Sequence, residues 1–172
     1  MSKDGSRGHA AGEVAMRMRT LQQSIDAFDE AAAALLGLNR TDLRCLDLIL
    51  ATDAMSAGEL TTAAKLSPAA TTTAIDRLER AGFVARSRDA TNRRRVLVSA
   101  TDAAHAAERE VYGPVSEAGM RALRHYDEDQ LAVIGDFLET ARRVQEEQTA
   151  RLKELRDPAR SSGRRADRRT GR

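Results

Sequence analysis

Residues 56–101 read SAGELTTAAKLSPAATTTAIDRLERAGFVARSRDATNRRRVLVSAT, and this stretch decides the fold. Ser56 and Glu59 stand at capping-box spacing, so a helix opens there, with Leu60, Ala63, Ala64 and Leu66 as its apolar face. Ser67-Pro68 is the clearest helix start in the chain, a serine cap followed by proline at the first helical position. The helix should run to Ala81, and Gly82 should end it. Its inward residues are Ala74, Ile75, Leu78 and, in part, Thr71; Ala69, Ala70, Thr72 and Thr73 face outward, with Asp76 and Arg77 following. Phe83–Arg86 and Val96–Ser99 are short and β-branched, and the turn-prone residues 89–92 separate them, so they read as a hairpin. Arg88, Arg93, Arg94 and Arg95 lie about its tip.

Outward from this centre the pattern is helical. Val14, Met18, Leu21, Ile25, Phe28, Ala32 and Leu35 alternate spacings of four and three, the seam of a helix that packs on another helix, and Gly37 stops it. The stripe is longer than one small domain needs, so part of it should meet a second subunit. Thr41 is the expected cap of the next helix, which carries Leu43, Leu46 and Leu50 beside Cys45 and Ile49. Thr101-Asp102 starts another helix, which Gly113-Pro114 should bend or split. Asp127, with Gln130 three residues on, caps a last helix lined by Leu131, Ile134, Leu138 and Ala141 and extended by Leu152 and Leu155. Residues 1–12 are small and polar and residues 156–172 lack apolar periodicity; both are expected to be disordered. The layout is mainly α with a small β-hairpin wing. It is a winged helix-turn-helix with long N- and C-terminal dimerisation helices. Residues 38–101 form the winged region, and 13–37 with 102–155 the helical dimerisation region of one domain.

Bulk properties agree. Apolar residues are 41%, charged residues 31% and aromatics only 3% with no Trp, so Ala and Leu must build the core and helix is favoured. No run approaches the roughly 18 apolar residues of a membrane span, and the polar N-terminus lacks a signal-peptide core. A single cysteine cannot form an internal disulfide, which suits a cytoplasmic location. The net charge of +2 hides a local +4 over residues 84–95 and +5 over 156–172, against −3 for residues 1–155. Positive charge so concentrated is the footprint of a phosphate-binding surface, although a basic tail is as often simply solvated chain. Arg outnumbers Lys 25 to 3, which discounts any one arginine.

The second helix of the pair has the chemistry of a DNA reader. Thr72 and Thr73 are short enough to approach base edges, Ala69, Ala70 and the threonine methyls can meet thymine methyls, and the Ser67-Pro68 end aims N–H groups at phosphate. Arg77, one turn on, can reach the backbone. In the wing, Arg94 is the best placed for a minor-groove or phosphate contact; of Arg93, Arg94 and Arg95 at most two share a face. Arg86 and Arg88 are further phosphate contacts, while Asp89 orients a neighbouring arginine. The competing reading of the Ala/Thr face is surface helix filler, which the adjacent wing disfavours. Cys45, among leucines, reads as core packing and not as a redox switch. His9, His105 and His125 have no metal-ligand spacing, and Asp127-Glu128-Asp129 reads as acids at a helix start. No phosphate loop, nucleophile elbow or Cys-x-x-Cys appears, so neither an enzyme nor a cofactor is expected.

These residues carry a resemblance. LNRTDLRCLDLIL, SAGELTTAAKLSPAATTTAIDRLERAGFV and RDATNRRRVLVSAT resemble successive elements of the MarR family of bacterial transcription regulators, strongly over about 65 residues. The resemblance implies a triangular homodimer joined through its terminal helices. It also implies repression by promoter blocking, and release by an oxidant or by a small lipophilic or phenolic effector in a cleft between the first, second and fifth helices. Ala90 and Asn92 stand where the family usually has Pro and Asp, so Asn92 orients the wing arginine without a charge. Thr73 stands where Arg or Lys is common, so base readout leans on hydroxyls and methyls. The expected partner is therefore double-stranded DNA carrying a palindromic operator. The alternative is an architectural or protein-docking winged helix that binds nucleic acid without sequence preference.

Overall fold

A computed structural model of the chain describes residues 3–88 and 95–156. Along them run α1 (Lys3–Leu35), α2 (Arg40–Leu50), β1 (Ala54–Ser56), α3 (Ala57–Ala64), α4 (Pro68–Arg80), β2 (Val84–Arg88), β3 (Val96–Ala100), α5 (Asp102–Leu123) and α6 (Glu128–Arg156). The chain divides into two compact units, one through Ser116 and one from Glu117.

The first unit is built on one core. Cys45, Leu46 and Ile49 of α2, Leu60 and Ala64 of α3, Ala74, Ile75 and Leu78 of α4, Val84 and Val98 of the sheet and Ala104 of α5 are buried together. Burial pushes the Cys45 thiol up from its ordinary pKa, and Asp42 adds to the shift. The stripe of α4 expected to face inward does so, Thr71 included at 1% exposure. Its hydroxyl donates to the Ser67 carbonyl at 3.0 Å and lies 3.0 Å from Thr61 Oγ1 of α3. A hydroxyl pair thus fixes the angle between the two helices inside an otherwise apolar contact.

Local signals set most boundaries. Ser56 and Glu59 form the reciprocal capping box, and Ser67 Oγ accepts the Ala70 N–H at the start of α4. Gly37 and Gly82 take positive φ beyond α1 and α4, as the stops require. Several expectations are corrected. Asn39, not Thr41, caps α2: its extended backbone lets Oδ1 accept the Asp42 N–H at 2.9 Å. Residues 3–12 belong to α1, because no proline interrupts the first 35 residues and the single glycines at 5, 8 and 12 do not end the helix. Pro114 does not split α5, which is continuous across it. The hairpin β2–β3 pairs Val84 with Ala100 through Arg88 with Val96, and β1 adds on the far side of β3, giving the antiparallel order β1-β3-β2. β1 has three residues, too few for an alternation to show in sequence.

A second cluster, Ala32, Ala33 and Leu43 with Phe28 and Val111, joins α1, α2 and α5. Beside it a recess of about 320 Å³ is lined by Asp29, Arg40, Leu43, Arg44, Asp47 and Ala64, among others. Arg40 pairs with Asp26 and Asp29 at 3.3 Å each. The Asp47 carboxyl is pushed up to about 6, first by desolvation in the recess and then by Asp29 and Glu108, with Arg40 opposing. Tyr112, edge-on to Phe28 at 5.5 Å, is likewise pushed up to about 12 by desolvation and then by Asp47 and Asp29.

In the second unit Asp127 and Gln130 exchange bonds of 3.0 and 2.8 Å as expected of a capping box, and α6 follows. Most of its large apolar side chains, Val133, Leu138, Leu152 and Leu155 among them, are exposed.

Two outcomes test this packing. Thr71→Val should cost about 1 kcal/mol, read as a fall of roughly 2–4 °C in thermal midpoint. For Asp47, a folded-state pKa above the unfolded one means that its protonated form stabilises the fold below about pH 4 and that this stabilisation is lost as pH rises through about 6. Asp47→Asn should therefore raise the melting temperature at pH 7.5 and leave it unchanged near pH 4, in parallel thermal melts.

Candidate nucleic-acid interface

The exposed face of α4 is what the buried stripe leaves over. Ser67, Pro68, Ala69, Thr72 and Thr73 are exposed and Ala70 is half-buried. Proline at the first position and the serine cap organise this end, and the first turn carries no acid to neutralise its positive dipole. Thr72 and Thr73 donate to the Pro68 and Ala69 carbonyls at 3.0 Å each. Their oxygens keep acceptor lone pairs and their methyls stay outward, a surface suited to amino groups and thymine methyls of base edges.

The arginines have less freedom than their count suggests. Arg77 turns back to α2: Nε lies 2.6 Å from Asp42 Oδ2 and Nη2 2.7 Å from Oδ1. Asp42 is 2% exposed and also accepts from Asn39 Nδ2 at 2.8 Å. Arg86 of β2 is forked between Asp76 and Glu79 of α4, which fastens the first wing strand to that helix. Arg95 pairs with Glu59, whose carboxyl is held at about 2 by the Ser56 backbone and hydroxyl first and Arg95 second. Arg88, at the end of β2, is exposed and has no ion-pair partner among the described residues. Asp89, Asn92, Arg93 and Arg94 lie outside the described residues.

Arg77 and Arg86, expected at phosphate, are held by acids: Asp42 for the first, Asp76 and Glu79 for the second. The signal for Asp42 was present: it stands in helical register with Cys45, Leu46 and Ile49, all buried. A carboxylate on an apolar stripe requires a cation partner. No comparable signal marks Asp76 and Glu79, since β2 reaches them only in the fold. Among the described residues no group of acids, histidines and cysteines could hold a metal ion, and no helix is long and apolar enough to cross a membrane.

Residues 38–96 match the model of the MarR family. The uncharacterized HTH-type transcriptional regulator YcgE of Bacillus subtilis (strain 168) is 36% identical over 154 residues, 90% of this chain and all of YcgE. Among solved structures, YusO of Bacillus subtilis superposes with a TM-score of 0.57 at 21% identity, covering 84% of this chain and 99% of YusO. A mutant MarR from E. coli, complexed with operator DNA, superposes with a TM-score of 0.52 at 20% identity, covering 75% of this chain and 93% of that one. These two likenesses speak for the fold, and YcgE for the kinship. A helix packed by one stripe, a wing strand bolted to it, the match to the family model and a relative matched along its whole length agree on one answer: this chain belongs to the MarR family of DNA-binding transcriptional regulators, a family of regulators and not of enzymes.

Proposed function

We propose that the protein is a homodimeric repressor that reads a palindromic operator and is released by a small lipophilic or phenolic effector. The observation that carries the reading is the division of α4, one face buried as core and the other offering Thr72 and Thr73 from a proline-capped end. Ser67, Pro68, Ala69 and Ala70 line its approach to the major groove, and the Ala69 N–H of the first turn, where Ser67 already takes the Ala70 N–H, meets phosphate. Arg88 grips the backbone beside it, and Arg93 and Arg94 extend that grip to the minor groove, oriented by Asp89 and Asn92. Arg86 and Arg95 hold the wing in place through their carboxylate partners, so their contribution to phosphate binding is secondary to that of Arg88.

Dimerisation follows from unmet burial. In the first unit α1 exposes Val14, Leu21 and Ile25, and in the second α6 exposes Leu131, Phe137 and Leu138. Apolar stripes of this length on water-exposed helices mark association surfaces. Two reading helices about one helical turn apart would place half-site centres roughly 10 bp apart. The recess bordered by α1, α2 and α3 supplies an effector with apolar walls at Leu43, Ala64 and Leu66 and with the cations Arg40 and Arg44. It lies beside the cluster in which α5 meets α1 and α2, and those helices were the expected effector cleft.

Gel shifts of genomic fragments with competitor DNA test the function: one promoter should be retained at competitor levels that strip the rest. Equal retardation of all fragments would replace the repressor by an architectural DNA binder. On the selected promoter, Arg88→Ala should lower affinity and flatten the log–log salt dependence by about 0.9 for each phosphate that Arg88 neutralises. Removal of residues 1–36 should yield monomers or aggregates by light scattering, whereas a stable dimer after that cut would contradict the interface.

A further inference from the structure

The Arg77–Asp42 pair has a geometry that packing alone does not require. Asp42 is a carboxylate with 2% exposure, and both its oxygens are engaged on one guanidinium edge. Asn39 closes the arrangement from the other side. Its Nδ2 donates to Asp42 Oδ2 at 2.8 Å, and its Oδ1 accepts the Asp42 N–H at 2.9 Å. The carboxylate is thus fixed at the first turn of α2 before it meets Arg77. Arg77 uses Nε and Nη2 on Asp42, and its side chain remains 38% exposed. Nη1 has no partner among the described residues. Arg77 borders a cleft also lined by Arg80, one turn further along α4, and by Gly37 and Leu38 of the α1–α2 elbow.

We propose that Asp42 is a positioning residue for DNA binding: it clamps Arg77 by two nitrogens so that Nη1 is presented in a fixed place to a DNA backbone phosphate. The inference rests on the reading of α4 as the operator-binding helix. An arginine on an open helix face spreads over many rotamers and must be ordered when it binds. A forked carboxylate has ordered this one in advance, and bidentate geometry leaves the third nitrogen directed. The same clamp ties the reading helix to the N-terminus of α2, so the place of the cation is referred to the core and not to a loose surface chain.

The sign of the effect separates this role from bulk electrostatics. Asp42→Asn removes a negative charge close to a polyanion, and by charge alone it should strengthen DNA binding. Positioning predicts the reverse. The test uses the full chain and the promoter duplex selected by gel shift, titrated by fluorescence anisotropy at several salt concentrations, with thermal melts of each variant. Asp42→Asn should weaken promoter binding at least tenfold and lower the salt slope by about 0.9 per subunit. Arg77→Met should do the same, and in the Arg77→Met background Asp42→Asn should have no further effect. Equal or tighter binding by a folded Asp42→Asn protein would overturn the proposal, as would the same weakening in both backgrounds. Should Asp42→Asn melt below the assay temperature, Arg77→Lys decides instead. It keeps the charge without the fork, so a reduced slope supports positioning and parental binding overturns it. A parent chain that prefers no fragment would fail at the level of the operator reading, before any variant is compared.

Discussion

The winged unit depends on the burial of a single stripe, Thr71, Ala74, Ile75 and Leu78, on one side of α4. Three of these residues are apolar and nearly or wholly inaccessible, so turning the helix to bury another face would bring Thr72, Thr73 or Glu79 into the core without partners. The cost of burying unpaired polar groups fixes the rotation of the helix about its axis. Rotation matters for the proposed reading of base edges, because it decides which side chains α4 leaves on the surface. Thr71, the polar member of the stripe, is tolerated because the Ser67 carbonyl and the Thr61 hydroxyl satisfy it, and that pair sets the crossing of α3 on α4.

Around this stripe, ion pairs connect elements that hydrophobic packing leaves adjustable. Arg77 reaches α2, Arg86 reaches α4 from β2, and Arg95, just before β3, reaches α3. The pairs differ in weight. The Asp42 carboxylate is buried and accepts a bidentate fork, so removing Arg77 leaves an uncompensated charge in the core. The partners of Arg86 and Arg95 are accessible to water, and exposed pairs of this kind hold geometry more than they add stability. Part of the positive charge along residues 77–95 is therefore already answered by the protein's own acids. The surface left to a polyanion is narrower than the number of arginines implies, and its position is better defined.

Most of the expected design could be read directly. Ser67-Pro68, the Ser56–Glu59 box, Gly37 and Gly82 are local signals, each completed within four or five residues, and each formed as read. Failures cluster where the deciding partner is distant or the local alternatives are close in energy. Asn39 and Thr41 are both competent caps two residues apart, and Asn39 prevails with a second bond from its amide to Asp42. The three residues of β1 become a strand only because β3 offers an edge. The N-terminal turns of α1 lack an apolar stripe within residues 1–12, yet their backbone continues a helix already nucleated further along.

By itself the sequence determined the order of the elements, the stripe that α4 buries and hence the face it exposes, because periodicity and caps are properties of neighbouring residues. The tertiary structure alone decided which arginines are committed and which remain available, where α2 is fastened to α4, and how β1 completes the sheet. Several of those outcomes join residues 35 or more positions apart, such as Asp42 with Arg77 and Glu59 with Arg95. At that separation only the folded geometry determines which charges meet.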